Sequence, residues 1–195
     1  MTTSSETLQI GDVELTLVRP AEPESLLDEE AFADDEFMPY WAELWPAGVA
    51  LAEALPTDLS GMRVVELGAG LGVPSLVAAA RGAHVTAVDW AADAIALLGR
   101  NAASNDLSLA AVHADWRRFD GSFDLVLAAD VLYEARNVEP LAGLVSRIAP
   151  RALVGLAGRP YERDFLERVG ELARVREHGK VARIELDHAR RQARE

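Results

Sequence analysis

No cysteine occurs among the 195 residues, which removes disulfide frameworks, thiolate metal sites and thiol nucleophiles together. Histidine is scarce: His84, His113, His178 and His188 are scattered without metal-ligand spacing, and each is expected at a surface or edge. Basic residues are outnumbered, 19 Lys plus Arg against 32 Asp plus Glu, for a formal net charge of −13. A face that binds nucleic-acid backbone depends on Lys and Arg neutralising phosphates, so this balance disfavours such a partner and suits basic proteins or small molecules. Long apolar runs are missing as well. A transmembrane helix needs about 20 predominantly apolar residues, and stretches such as Leu125 to Ala129 are strand-sized and bounded by charge. The start, Met1-Thr2-Thr3-Ser4-Ser5-Glu6, lacks the basic residues and apolar run of a secretory signal, so a cytoplasmic protein with no membrane partner is expected.

What is present is enough apolar material for a core. Half the residues are hydrophobic, and the length suits one globular domain of about 100–200 residues. Leu8 to Ile10 and Val13 to Val18 alternate on either side of Gly11-Asp12, which predicts a β-hairpin. From Ala21 to Glu36 there are eight acids and no base: either a solvated loop, or a negative rim that raises the local concentration of a cationic substrate. Residues 1–36 are therefore read as hairpin plus acidic loop, and 37–195 as the main globular unit. Phe37 to Pro46 places four aromatics in ten residues, and Pro46 is well placed to start the helix that follows, to Leu55.

Strand and helix then alternate. Strands are expected over Met62 to Leu67, His84 to Val88, Ala110 to His113, Phe123 to Ala129 and Ala152 to Ala157, with helices over Val73 to Ala80, Ala92 to Ala103, Val138 to Ile148 and Glu162 to Ala173. This alternation is that of a parallel sheet with crossover helices, and the wholly apolar strands imply burial on both faces. Val175 to His178 and Ala182 to Asp187 flank Gly179 as a terminal antiparallel pair.

Between the first strand of that series and its helix lies Glu66-Leu67-Gly68-Ala69-Gly70-Leu71-Gly72-Val73-Pro74. Glycines let a ligand approach the backbone closely, and a helix N-terminus favours negative groups, so a nucleotide-like ligand is expected here. The dinucleotide pattern Gly-x-Gly-x-x-Gly would need glycine at position 73, where Val stands; the spacing here is Gly-x-Gly-x-Gly. Asp89, 17 residues past Gly72, ends the next strand, where its carboxylate can accept from both ribose hydroxyls or cap the following helix. Asp115-Trp116, after the third strand, offers an acceptor for an exocyclic adenine amine and an aromatic plane beside the ring. Asp130 and Tyr133 occupy the loop leaving the most apolar strand, outside the carboxyl ends of the strands where such folds place ligands; a capping Asp and a packed Tyr are the plainer alternative.

With these residues assembled, the chain resembles a class I S-adenosylmethionine-dependent methyltransferase. More narrowly it resembles the small seven-β-strand protein-lysine methyltransferases that act on chaperones, elongation factors and the electron-transfer flavoprotein β subunit. The resemblance runs from Tyr40 to Asp187 and rests on Tyr40-Trp41-Ala42-Glu43-Leu44-Trp45-Pro46, the glycine turn, Asp89, Asp115-Trp116 and Asp130-Val131-Leu132-Tyr133. It implies an α/β fold: a Rossmann-like, seven-stranded, mostly parallel sheet of order 3-2-1-4-5-7-6 with strand 7 antiparallel and helices on both faces, plus the short N-terminal hairpin. The implied cofactor is S-adenosyl-L-methionine, leaving as S-adenosyl-L-homocysteine. It would lie against Gly68, Gly70 and Gly72 at its methionine portion, Asp89 at the ribose, and Asp115 and Trp116 at the adenine, with Trp45, Glu66, Trp90 and Ala129 beside it. Asp130 and Tyr133 are the implied catalytic pair, Asp130 positioning the acceptor amine and Tyr133 walling its channel.

Two features divide the branches of the group. Gly158-Arg159-Pro160 resembles the flavoprotein-modifying branch, yet Leu156-Ala157 stand where that branch has Asp-Pro, and the Asp-Val-Leu-Tyr motif is closer to the chaperone-modifying branch. The leading acceptor is a protein lysine. A small amine, as in the related nicotinamide N-methyltransferases, and a non-catalytic cofactor-binding module are the alternatives, and a monomer is the default state. Val131 and Leu132 occupy the two Pro positions of the nucleic-acid amino-methyltransferase motif, which counts against that class.

Overall fold

The computed structural model describes residues 2–26 and 39–186. Most of the acidic stretch, the aromatic Phe37, and Arg190, Arg191 and Arg194 of the C-terminal basic tail lie outside them. β1 (Thr3–Ile10) and β2 (Val13–Pro20) form an antiparallel hairpin closed by Gly11-Asp12, with Gly11 at φ 60°. Its strands run longer than their apolar cores because the polar ends Thr3 to Thr7 pair in register with Thr16 to Pro20. The remainder is α1 (Pro46–Glu53), β3 (Arg63–Leu67), α2 (Val73–Ala80), β4 (His84–Asp89), α3 (Ala92–Ser104), β5 (Ala110–His113), β6 (Leu125–Ala129), α4 (Val138–Arg147), β7 (Arg151–Gly155), α5 (Glu162–Gly170), β8 (Ala173–His178) and β9 (Val181–Leu186).

The seven-stranded sheet has the order β5-β4-β3-β6-β7-β9-β8, with β9 antiparallel to both neighbours. Counted without the hairpin, this is the expected 3-2-1-4-5-7-6. Adjacent side chains of one strand serve opposite cores: Val64 joins Leu51, Leu76 and Leu97 from α1, α2 and α3, whereas Val65 joins Leu141 and Phe165 from α4 and α5. The hairpin belongs to the first core through Ile10, Leu15 and Leu17. Asn101 of α3 and Asn105, which caps that helix, accept from the backbone N–H of Val18 and Thr16, both at 2.7 Å.

α5 ends at Gly170, earlier than the expected Ala173, and Ala173 instead opens β8. Phe123 likewise precedes β6, its N–H donating to Ile148 O at 2.8 Å rather than to a strand neighbour. Among the described residues no helix is long and apolar enough to cross a membrane.

Candidate active site

Chain order reverses across the sheet between β3 and β6, the position at which open α/β sheets bind ligands beyond the carboxyl ends of their strands. There a cleft of about 330 Å³ opens, within the usual range of about 300–1,000 Å³ for small-molecule sites. It is lined by the glycine turn below, Asp89 and Trp90 after β4, Asp115 and Trp116 after β5, Ala129, Asp130 and Tyr133 at the end of β6, and Tyr40 and Trp45 ahead of α1. The cleft thus brings together every site residue named from the sequence.

The turn is shaped by its backbone. Gly68, Gly70 and Gly72 all have positive φ, at 68°, 52° and 75°. A Cβ on Gly68 would lie 2.8 Å from Val131 Cγ1, and one on Gly70 would lie 3.2 Å from Trp41 O, so a side chain at either position would press on its neighbours and strain the positive-φ turn. Asp89 secures the turn from the next strand: its Oδ2 accepts from Gly70 N at 2.8 Å and its Oδ1 from Ala91 N at 2.9 Å. The cap and the ligand-facing roles are therefore compatible, because each carboxylate oxygen keeps a second lone pair for a hydroxyl donor. Burial raises the Asp89 pKa, with backbone donors from Ala91 and Gly70 opposing it.

Glu66 lies behind the turn, almost fully buried, and accepts from Ser75 N at 2.9 Å and Ser75 Oγ at 2.5 Å. It thereby satisfies one of the otherwise orphan N–H groups in the first turn of α2. Burial pushes its pKa up to about 8, so the carboxyl carries its proton at neutral pH. Ser75 was not legible as a site residue; a Ser three positions into a helix has no distinguishing local pattern.

On the β5 side, Asp115 is gripped by Arg117, whose Nε and Nη2 donate to its two oxygens at 2.9 and 3.1 Å, and its pKa is lowered chiefly by that bond. Trp116 is buried in the second core, with its indole Nε1 3.6 Å from where a Gly68 Cβ would sit. Trp90 is 39% exposed at the cleft, and its carbonyl is 2.8 Å from His113 Nε2.

At the opposite end stands an aromatic group: Tyr40 packs against Trp45 and Tyr133 with ring centroids 6.2 and 5.5 Å apart, and Trp45 Nε1 donates to Tyr40 O at 2.7 Å. Of the pair read as lid or core, Tyr40 is exposed at the mouth and Trp41 packs against the first core. Burial raises the Tyr133 pKa. Asp130 adopts φ 51°, a left-handed conformation uncommon for a non-glycine residue, and its N–H donates to Gly155 O. Buried Asn137 holds the same loop by donating to Val131 O at 2.7 Å. The Asp130 carboxylate is bound in bidentate fashion by Arg159, Nε to Oδ1 at 2.7 Å and Nη2 to Oδ2 at 2.8 Å. Arg159 lies 29 positions away, and its motif reads in the sequence as a branch marker rather than a partner of Asp130; only the pairing of β6 with β7 joins them.

A family model described as lysine methyltransferase matches residues 33–169. Protein N-lysine methyltransferase METTL21A of Danio rerio is 32% identical over 164 residues, covering 76% of this chain and 73% of that protein. EEF1A lysine methyltransferase 3 of Mus musculus is 30% identical over 129 residues, covering 60% of this chain and 55% of that protein. The chain spans about half the length of several curated relatives that it matches. Among solved structures, the 16S rRNA N2 G1207 methyltransferase RsmC of T. thermophilus, in complex with AdoMet and guanosine, superposes with a TM-score of 0.70 at 20% identity. It covers 95% of this chain and 51% of that one, a likeness of fold.

Proposed function

The chain belongs to the lysine methyltransferase family, and on that premise we propose that it is an S-adenosylmethionine-dependent N-methyltransferase whose acceptor is a lysine side chain of a protein. The observation that carries this reading is the convergence, on one cleft, of the three-glycine turn tied to Asp89 with the Asp130–Tyr133 loop and the Tyr40–Trp45 aromatics. A cytoplasmic, monomeric protein belongs to the same proposal.

The residues fit the cofactor. Gly68 and Gly70 leave no room for a Cβ beside the cleft, Asp89 would accept from the ribose, and Asp115 and Trp116 would face the adenine. When bound, S-adenosylmethionine supplies a methyl group already activated by a sulfonium. The protein therefore contributes alignment above all, and orientation of two reactants can contribute roughly 7–11 kcal/mol to such a barrier. Tyr40, Trp45 and Tyr133 form an aromatic wall at the acceptor end, and removing the amine from water there favours its neutral form. That matters because a free lysine, with a pKa of about 10.4, is neutral in only about one molecule in a thousand near pH 7.4.

Isothermal titration of purified protein with S-adenosylmethionine tests the reading at its base. Saturable binding with one ligand per chain is expected; absence of binding at millimolar ligand would end the proposal.

A further inference from the structure

Two groups at the acceptor end are suited to bind a cation, and both are already occupied by the protein itself. The Asp130 carboxylate, only 5% exposed, has both oxygens bridged by Arg159. The guanidinium of the same Arg159 sits 5.7 Å from the centroid of the Trp45 ring, at cation–π distance. The loop that carries it is fixed, since Glu162 accepts from Ala157 N at 2.6 Å and from Gly158 N at 3.0 Å. Arg159 is thus held where the charged end of a substrate lysine would otherwise be attracted.

We propose that Arg159 is a positioning residue that neutralises Asp130 and covers Trp45, so that the mouth of the cleft admits the acceptor as a neutral amine and does not bind its ammonium form. This rests on the methyltransferase reading above. An unpaired Asp130 would favour the ammonium, whose nitrogen has no lone pair to donate; a paired one leaves deprotonation to solvent before entry. The nitrogen lone pair then forms the N–C bond as the S–C bond breaks, its electrons return to sulfur, and the positive charge passes to the methylated nitrogen. With Asp130 paired, its carboxylate does not hold that cationic product.

Among the other charged and titratable groups around the pair, Glu43 also lines the cleft. Glu162 and Tyr40 bear on the guanidinium and favour its charged form. On the Asp130 loop, Glu134 is ion-paired with Arg136, and Tyr133 is shifted toward its neutral form by burial. Arg117, close enough to influence Tyr133, is engaged with Asp115.

The test uses binding rather than turnover, with the full chain and two small probes: n-butylammonium, and n-butanol as its neutral counterpart, each titrated at pH 7 while the Trp45 indole N–H resonance is followed. The native protein is expected to show no preference for the ammonium. Arg159→Met is expected to bind n-butylammonium roughly tenfold or more tighter than the native protein, the scale of one charge-assisted hydrogen bond, with n-butanol unchanged. Arg159→Lys should restore the native behaviour, and Asp130→Asn combined with Arg159→Met should abolish the gain. A native protein that prefers the ammonium tenfold, an Arg159→Met protein with no gain, or a double variant that keeps the gain would each overturn the proposal. Should Arg159→Met not fold, the native comparison alone decides. Because neither probe need be methylated, failure here is separate from failure of the transferase reading.

Discussion

Asp89 serves two ends at once, the glycine turn through Gly70 N and the entry to α3 through Ala91 N. Removing it deletes two charge-assisted bonds to the backbone, each worth about 1.5–3 kcal/mol, and with them the ribose acceptor of the proposed cofactor site. Asp89→Ala should weaken S-adenosylmethionine binding at least about tenfold in calorimetry; an unchanged dissociation constant would remove Asp89 from the site. Glu66 gives a prediction of the opposite sign. Its carboxyl holds a proton up to about pH 8 in the fold but ionises near 4.3 when exposed. The unfolded chain therefore binds fewer protons between those values, and stability falls as pH rises through them. Glu66→Gln keeps the acceptor for Ser75 and removes the ionisation, so thermal melts should show a gain of about 3 °C or more at pH 9 and a smaller one at pH 5. A gain that does not grow with pH would contradict the buried-acid account. At this scale the sequence showed which residues meet but not what each is paired with. Asp115 and Arg117 are two positions apart and could have been matched, whereas Asp130 with Arg159 and Glu66 with Ser75 are joined only by tertiary folding.

Among the elements, α1 depends on one close approach. Gly155 at the end of β7 has no Cβ, and one placed there would lie 2.6 Å from Ala47 O, backbone that cannot swing aside. Gly155→Ala should therefore push the start of α1 off the sheet, with Trp45 immediately ahead of it. A loss of about 1–3 kcal/mol is expected in denaturant unfolding, together with a shift of the Trp45 indole resonance; an unperturbed melt would mean that α1 is seated differently. Elements of this kind were legible in the sequence where their patterns are strong. Val73 to Ala80 and Ala110 to His113 match their expected bounds, the helix because Gly72-Val73-Pro74 marks its start. Ends set by distant partners were not legible: β1 gains Thr3 to Thr7 only because β2 lies opposite. The glycine turn was readable from its spacing, whereas the strand order came only through the family resemblance, with which the antiparallel pair around Gly179 agrees. The seat of α1 on Gly155 carries no local signal.

Across the whole molecule, a strongly acidic chain, with 32 acids against 19 bases, presents a field that draws cationic partners toward it, while at the mouth of the cleft carboxylate and guanidinium are matched one to one at Asp130 and Arg159. Attraction at long range and a paired Asp130 at the cleft are separate properties, and under the proposed function both would suit a substrate protein that presents a lysine. The measurement that tests this most directly is transfer of radiolabelled methyl from S-adenosylmethionine into a lysate of the source cells, resolved into protein and small-molecule fractions, with the labelled residue identified by mass spectrometry. The expected result is label in a protein band, on lysine Nζ, lost in the Asp89→Ala variant. Label confined to small molecules, or none despite bound cofactor, would contradict the account.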